Sequence, residues 1–218
     1  GTTIVNVNKY IAPARGAQAR ETRRRILAAA TAAFLERGYG AATIRQIAEG
    51  AAVSVPAIEL IYGTKARLLK AAIDVAIAGD DEPVAILDRT WAAATMAPGT
   101  LEQFLEMVAR AVASAQARSA GLVLAVFEGA RRDRELAQVR EQMVAQRNVM
   151  AGWIVDGLRR RARLDEACTE QEAIDTVWLL MDPAVFERLT RQRAWTVDHY
   201  ERWFGQALAR LLTRSKPA

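Results

Sequence analysis

The residue types that ordinarily carry catalysis are sparse and scattered in this chain. There is one histidine, His199, and one cysteine, Cys168. A single thiol forms no internal disulfide, and one thiol with one imidazole makes no zinc cluster. No serine or cysteine has a neighbouring base to raise a nucleophile, no glycine-rich phosphate loop occurs, and no carboxylate pair stands out. The expectation is therefore no enzyme, no metal site and no cofactor. What does stand out is positive charge in one place. Residues 1–40 hold seven Lys/Arg against two Asp/Glu, residues 41–80 four of each, and residues 81–218 nineteen of each. The net charge of +5 thus sits on the first forty residues, which include Arg15, Arg20 and the run Arg23-Arg24-Arg25. A basic segment beside a neutral body is the footprint of phosphate contact, although a solvated helix face would carry the same charges.

The elements that must position these residues all read as helices. Apolar positions recur at three- and four-residue steps from Ile26 through Phe34, and Gly38 closes that first helix. Thr43-Ile44-Arg45-Gln46 fits a capping box opening a short second helix that ends by Gly50. Ala51-Ala52-Val53 is a tight connection to Ser54, a good N-cap, and Pro56 suits the first turn of a third helix that stops at Gly63. Thr64 caps a fourth helix to about Ala78, and Gly79-Asp80-Asp81-Glu82-Pro83 breaks the pattern. Beyond it, helices are expected near 84–96, 101–118, 120–131, 133–163, 169–190 (interrupted at Asp182-Pro183) and 197–213. The expected organisation is a flexible basic arm over residues 1–20, a three-helix head over 21–80 and a helical bundle over 81–218, all-α throughout. A chain 51% hydrophobic and 25% charged suits a soluble globular protein. It has no apolar run of about 18 residues. The opening GTTIVNVNKY lacks a charged-then-apolar leader pattern, so the cytoplasm is the expected location.

Two short helices joined by a turn of three or four residues, within a three-helix head, are what a DNA major groove accepts. The residues go further. Thr43-Ile44-Arg45-Gln46-Ile47-Ala48, then Ala51-Ala52-Val53-Ser54, then Tyr62-Gly63-Thr64-Lys65, resemble the tetracycline-repressor (TetR) family over about residues 22–75. That family has a T-x-x-x-I-A segment, a G-V-S turn, a short recognition helix and a Y/F-x-x-K opening to its fourth helix. The resemblance implies a helix-turn-helix regulator. Thr43 would donate to a phosphate, and Arg45 would approach the backbone or a base. Ser54, Val55, Pro56, Glu59 and Leu60 would lie on the groove-facing helix, and Lys65 would reach a phosphate. Arg23 and Arg24 would add charge from the first helix. Three departures stand against the family pattern. Ala52 replaces the usual turn glycine. The recognition helix, Val55 to Tyr62, contains no Lys, Arg, Asn or Gln. Glu59 stands where the family commonly has a phosphate-contacting tyrosine. Either Glu59 is repelled by phosphates or it accepts a hydrogen bond from a cytosine amine.

In the bundle, Trp91, Phe104, Met107, Phe127, Met143, Met150 and Trp153 are the large or adaptable side chains able to line an effector pocket. Each such side chain is more often plain core than a ligand contact. Such a pocket would take a small hydrophobic or aromatic effector. In the family the last two long helices form the dimer interface, which here makes Trp178, Val185, Tyr200, Trp203, Phe204 and Leu208 the candidates. The expected partners are an operator in double-stranded DNA, a small-molecule effector and a second copy of the chain, with no membrane. The competing reading is a helical ligand-binding or interaction protein whose DNA head is vestigial.

Overall fold

A computed structural model describes residues 8–162, 164–166 and 168–213, with side chains from Gly16 onward. The chain divides into two compact units, Gly1–Ala72 and Ile73–Ala218. The first holds α1 (Asn8–Ala41), α2 (Ile44–Ala51), α3 (Val55–Tyr62) and the start of α4 (Lys65–Ala78). The second holds the rest of α4 and then α5 (Thr90–Met96), α6 (Leu101–Gly129), α7 (Arg134–Arg159), α8 (Glu170–Leu180), α9 (Pro183–Glu187) and α10 (Val197–Leu212). The boundary falls inside α4, not at the expected break near residue 80, because Ala66, Leu68 and Leu69 of α4 are buried with the head.

In the first unit Ile26, Ala30 and Phe34 of α1 are buried, as are Ile47 and Ala48 of α2 and Ile58 of α3. Gly38 adopts φ 71°, ψ 166°, a break in α1 that glycine adopts without a Cβ penalty, and the chain turns on to Ala41 beyond it. Residues 8–20, expected as a flexible arm, are helical. Ala17 and Ala19 in this stretch are strong helix formers.

The second unit departs from the expected helices in two places. Residues 101–131, read as two helices, form the single 29-residue α6. Ser119 causes no break there, because its hydroxyl turns back to donate to the Ala115 carbonyl at 2.7 Å. Residues 84–96, read as one helix, form a 3₁₀ turn at Ile86–Asp88 and then α5. Arg89 lies extended between them. Its guanidinium grips Asp80 at 2.6 and 3.0 Å and holds that carboxyl below its usual pKa. Further on, a π turn over Arg188–Gln192 follows α9.

One core binds this unit together. It runs through Phe104, Val108 and Val112 of α6, Ile154 and Leu158 of α7, Val177 of α8, and Tyr200, Phe204 and Leu208 of α10. At Gly157 a side chain of α6 packs directly against the backbone of α7. A Cβ at Gly157 would meet the Phe104 ring at 2.1 Å, and Phe104 is only 1% exposed. Gly157→Ala is therefore expected to cost about 1–3 kcal/mol through overpacking, despite alanine's better helix propensity. Denaturant unfolding measures this, and Phe104→Leu in the same background should recover part of the loss.

Candidate nucleic-acid interface and sensor core

The corner between α2 and α3 is built from local hydrogen bonds. Thr43 Oγ1 accepts from the Gln46 amide at 3.2 Å, and Gln46 Oε1 accepts from the Thr43 amide at 3.1 Å, closing the capping box. At the other end of α2 the Val53 amide donates to the Ala48 carbonyl and the Ala52 amide to Glu49, a Schellman closure. Ala52 sits there at φ 52°, ψ 50°, so alanine holds the left-handed position that glycine would fill without strain. Ser54 Oγ then accepts from the Ala57 amide at 3.3 Å and opens α3.

This frame fixes which side chains face outward. Ile58 is buried, while Pro56, Glu59 and Leu60 are exposed, Leu60 at 88%. Val55 is half-buried at the start of the helix. On α2, Thr43 and Arg45 are exposed, and Arg45 pairs with Glu49 at 3.2 Å. Arg23 and Arg24 are exposed on α1, with Arg24 pairing with Glu21 at 2.9 Å. Exposed pairs of this kind contribute little to stability, so a phosphate can compete for these guanidinium groups.

Lys65 has a role the sequence did not reveal. Its ammonium donates to the Tyr39 carbonyl at 2.8 Å and the Ala42 carbonyl at 3.1 Å, and lies 4.2 Å from the Tyr39 ring centroid. A cation is placed on carbonyls freed at the end of α1, where the helix dipole favours it.

In the second unit three of the expected pocket residues meet. Trp91 and Trp153 make an edge contact at 6.0 Å, and Phe104 lies 6.3 Å from Trp153. Met150 packs against the same core. Arg161, not anticipated, stacks 4.5 Å over Phe104 and donates to the Gly157, Thr95 and Ala97 carbonyls. Met107 is 38% exposed, and neither Phe127 nor Met143 belongs to the cluster that holds Phe104.

The candidate dimer residues also separate. Tyr200, Phe204 and Leu208 are 0% exposed within the single chain, so they are core and not seam. The Tyr200 hydroxyl donates to the Leu180 carbonyl at 3.1 Å, and burial pushes its pKa up. The apolar periodicity of α10 was real, but it marks the face that packs on α6. Val185 and Trp203 are half-buried. Trp178 lines an open groove of about 660 Å³ with Arg140, Val144, Asn148 and Asp175. Arg147 stacks 3.8 Å from the Trp178 ring and pairs with Asp182 at 2.7 Å, while burial lowers its pKa. His199 is exposed and stacks on Trp195 at 4.0 Å.

Residues 26–72 match the family described as bacterial regulatory proteins, tetR family. The head thus carries a TetR-type helix-turn-helix. Solved structures share its architecture. NalD of Pseudomonas aeruginosa, the secondary repressor of the MexAB-OprM multidrug efflux pump, is 20% identical over 89% of this chain and 98% of its own, with TM-score 0.66. FadR of Bacillus subtilis, solved with stearoyl-CoA, is 17% identical over 85% and 96%, with TM-score 0.63. A transcriptional regulator of Saccharomonospora viridis, solved with choline, is 16% identical over 89% and 99%, with TM-score 0.65. At these identities the likeness is one of fold. The comparison with curated proteins found no match. The matched family is one of bacterial regulators, and the match is confined to the first unit.

Within the helix-turn-helix head, Ala52 is the strained position. Ala52→Gly is expected to raise the stability of the chain by about 0.5–1 kcal/mol, because it removes the Cβ penalty at positive φ. Chemical denaturation reads this directly; an unchanged or lower midpoint would mean that the turn is not under strain.

Proposed function

We propose that the chain is a transcriptional repressor that holds its operator as a homodimer and leaves it when a small hydrophobic or aromatic effector enters the second unit. The observation that carries the reading is the capped corner from Thr43 to Ser54, which turns Pro56, Glu59 and Leu60 outward on α3. With no basic side chain in Val55–Tyr62, affinity falls to the flanking groups. Arg23, Arg24, Thr43 and Arg45 grip phosphates, and Lys65 stabilises the head while adding charge near them. Acting on the chromosome, the protein works in the cytoplasm. Among the described residues no helix is long and apolar enough to cross a membrane. Effector binding is supported by the aromatic grouping of Trp91, Phe104 and Trp153, and by the stearoyl-CoA and choline held by two proteins of this fold.

A homodimer is favoured because two heads must meet half-sites about a helical turn apart. The surface offers apolar side chains for it on α8 and α10. Leu179 is 58% exposed and Leu211 55%, with Trp178 and Trp203 half-buried on the same two helices. The seam therefore uses these residues, and the buried face of α10 stays within each subunit.

Two measurements test this reading. Footprinting on the DNA flanking the protein's own gene should show a protected two-fold site that is lost on adding cell extract as an effector source. Its affinity should fall on the order of a thousandfold between about 50 and 200 mM salt, as about six phosphate contacts require. A flat salt response would point to a vestigial head. For the dimer, Leu179→Arg combined with Leu211→Arg should shift sedimentation towards the monomer and weaken binding to a two-half-site operator at least tenfold. Retention of the dimer would place the seam elsewhere.

A further inference from the structure

An acidic side chain on the outward face of a DNA-facing helix needs a reason. Glu59 lies on α3 with Pro56 and Leu60, on the side away from the buried Ile58. Its carboxylate makes no ion pair or hydrogen bond with the described residues. Nothing on its own helix can neutralise it. The positions three and four residues away are Pro56, Tyr62, Val55 and Gly63, none of them basic. It caps no helix end, since Ser54 opens α3 and the Gly63 amide, bonded to the Glu59 backbone carbonyl, closes it. No role in folding accounts for it.

Against phosphates this carboxylate would be an uncompensated like charge. Against base edges it has a match. Cytosine presents only its N4 amine donor in the major groove, whereas adenine sets an N7 acceptor beside its donor, and guanine presents two acceptors. An acceptor-only carboxylate therefore suits cytosine and is repelled by both purines. The neighbouring side chains are of the same kind. Leu60, 88% exposed, and Pro56 can hydrogen-bond to no base with their side chains, but they fit against a thymine methyl.

We propose that Glu59 is the specificity-determining residue of this head, accepting a hydrogen bond from the N4 amine of one cytosine in each operator half-site, with Leu60 and Pro56 reading adjacent thymine methyls. The recognition helix is thus a pyrimidine reader, and exclusion of purines by charge is half of its selectivity. This rests on the operator-binding reading above, and the test separates the two.

The full chain is put through binding selection on a randomised double-stranded DNA library and sequenced, as wild type, Glu59→Ala and Glu59→Gln. Equal thermal melting is expected for all three, since the side chain is exposed. The wild type should enrich one cytosine per half-site. Glu59→Ala should flatten that position alone, with about a tenfold loss on the best wild-type site. Glu59→Gln should move the preference at that position towards adenine, whose N6 and N7 a glutamine amide matches. If Glu59→Ala keeps the wild-type preferences and binds every sequence more tightly, the carboxylate faces phosphates and the inference is overturned. If the wild type binds the library with no preference at any position, the operator reading fails and takes this inference with it.

Discussion

Every α-helix leaves four amides and four carbonyls unpaired at its ends, and the ten α-helices among the described residues meet that constraint at every corner. The answers differ from joint to joint. Thr43 with Gln46, Thr100 with Gln103 and Thr169 with Glu172 close capping boxes at the starts of α2, α6 and α8. The carbonyl ends are handled mostly by distant cations and amides. Lys65 takes those at the end of α1, Arg118 takes Ala76 and Ile77 at the end of α4, and Arg161 takes Thr95 and Ala97 after α5. Gln116 and Tyr200 take Met181 and Leu180 at the end of α8. Amide ends are satisfied by neighbours in sequence, whereas these carbonyl ends are taken by residues distant in sequence; α2 and α3, closed by Ala52, Val53 and Gly63, are local exceptions. The carbonyl contacts therefore do more to fix which helix lies beside which within each unit.

That division explains how much of the fold could be read in the sequence. The boxes at Thr43, Thr100 and Thr169 involve residues three apart, so a local pattern reveals them, and with them the start of each helix and the α2–α3 corner. Lys65 and Tyr39 are 26 positions apart, and no local pattern connects them. The same limit applies to α10. Spacing identified Tyr200, Phe204 and Leu208 as one apolar face, but spacing names a face and not what covers it. The covering helix is α6 of the same chain. The basic stretch before residue 20 failed for a different reason. Its charge suggested an arm, while its alanines, which carry no such signal of function, decided the backbone.

The sensor side shows the opposite balance. Its residue types were legible and their arrangement was not. Trp91, Phe104 and Trp153 belong together because Gly157 lacks a Cβ and lets the Phe104 ring against α7. One glycine inside a long helix reads in sequence as a small loss of helix propensity. Here it is the condition for the contact between the Phe104 ring and α7. Arg161, stacked over the same ring and bonded to three carbonyls, ties this contact to the end of α5. The aromatic grouping is thus held from two sides, and its position depends on the α5 and α7 termini as much as on its own packing.

The head separates two tasks that DNA-binding proteins often combine in one helix. Guanidinium and ammonium groups on a recognition helix supply attraction to phosphates and contacts to guanine together, so changing one changes the other. In this chain α3 carries no such group, and the net positive charge lies in the first forty residues. On the proposed reading, attraction that is indifferent to sequence would come from α1 and α2, while α3 would contribute shape, methyl contact and one negative charge. A negative charge near DNA is tolerable only where cations offset the long-range repulsion, and Arg23, Arg24 and Arg45 are the groups that would supply it. The neutral-to-acidic α3 and the basic α1 would then be one arrangement, in which the excess of charge on α1 lets an acid read a base.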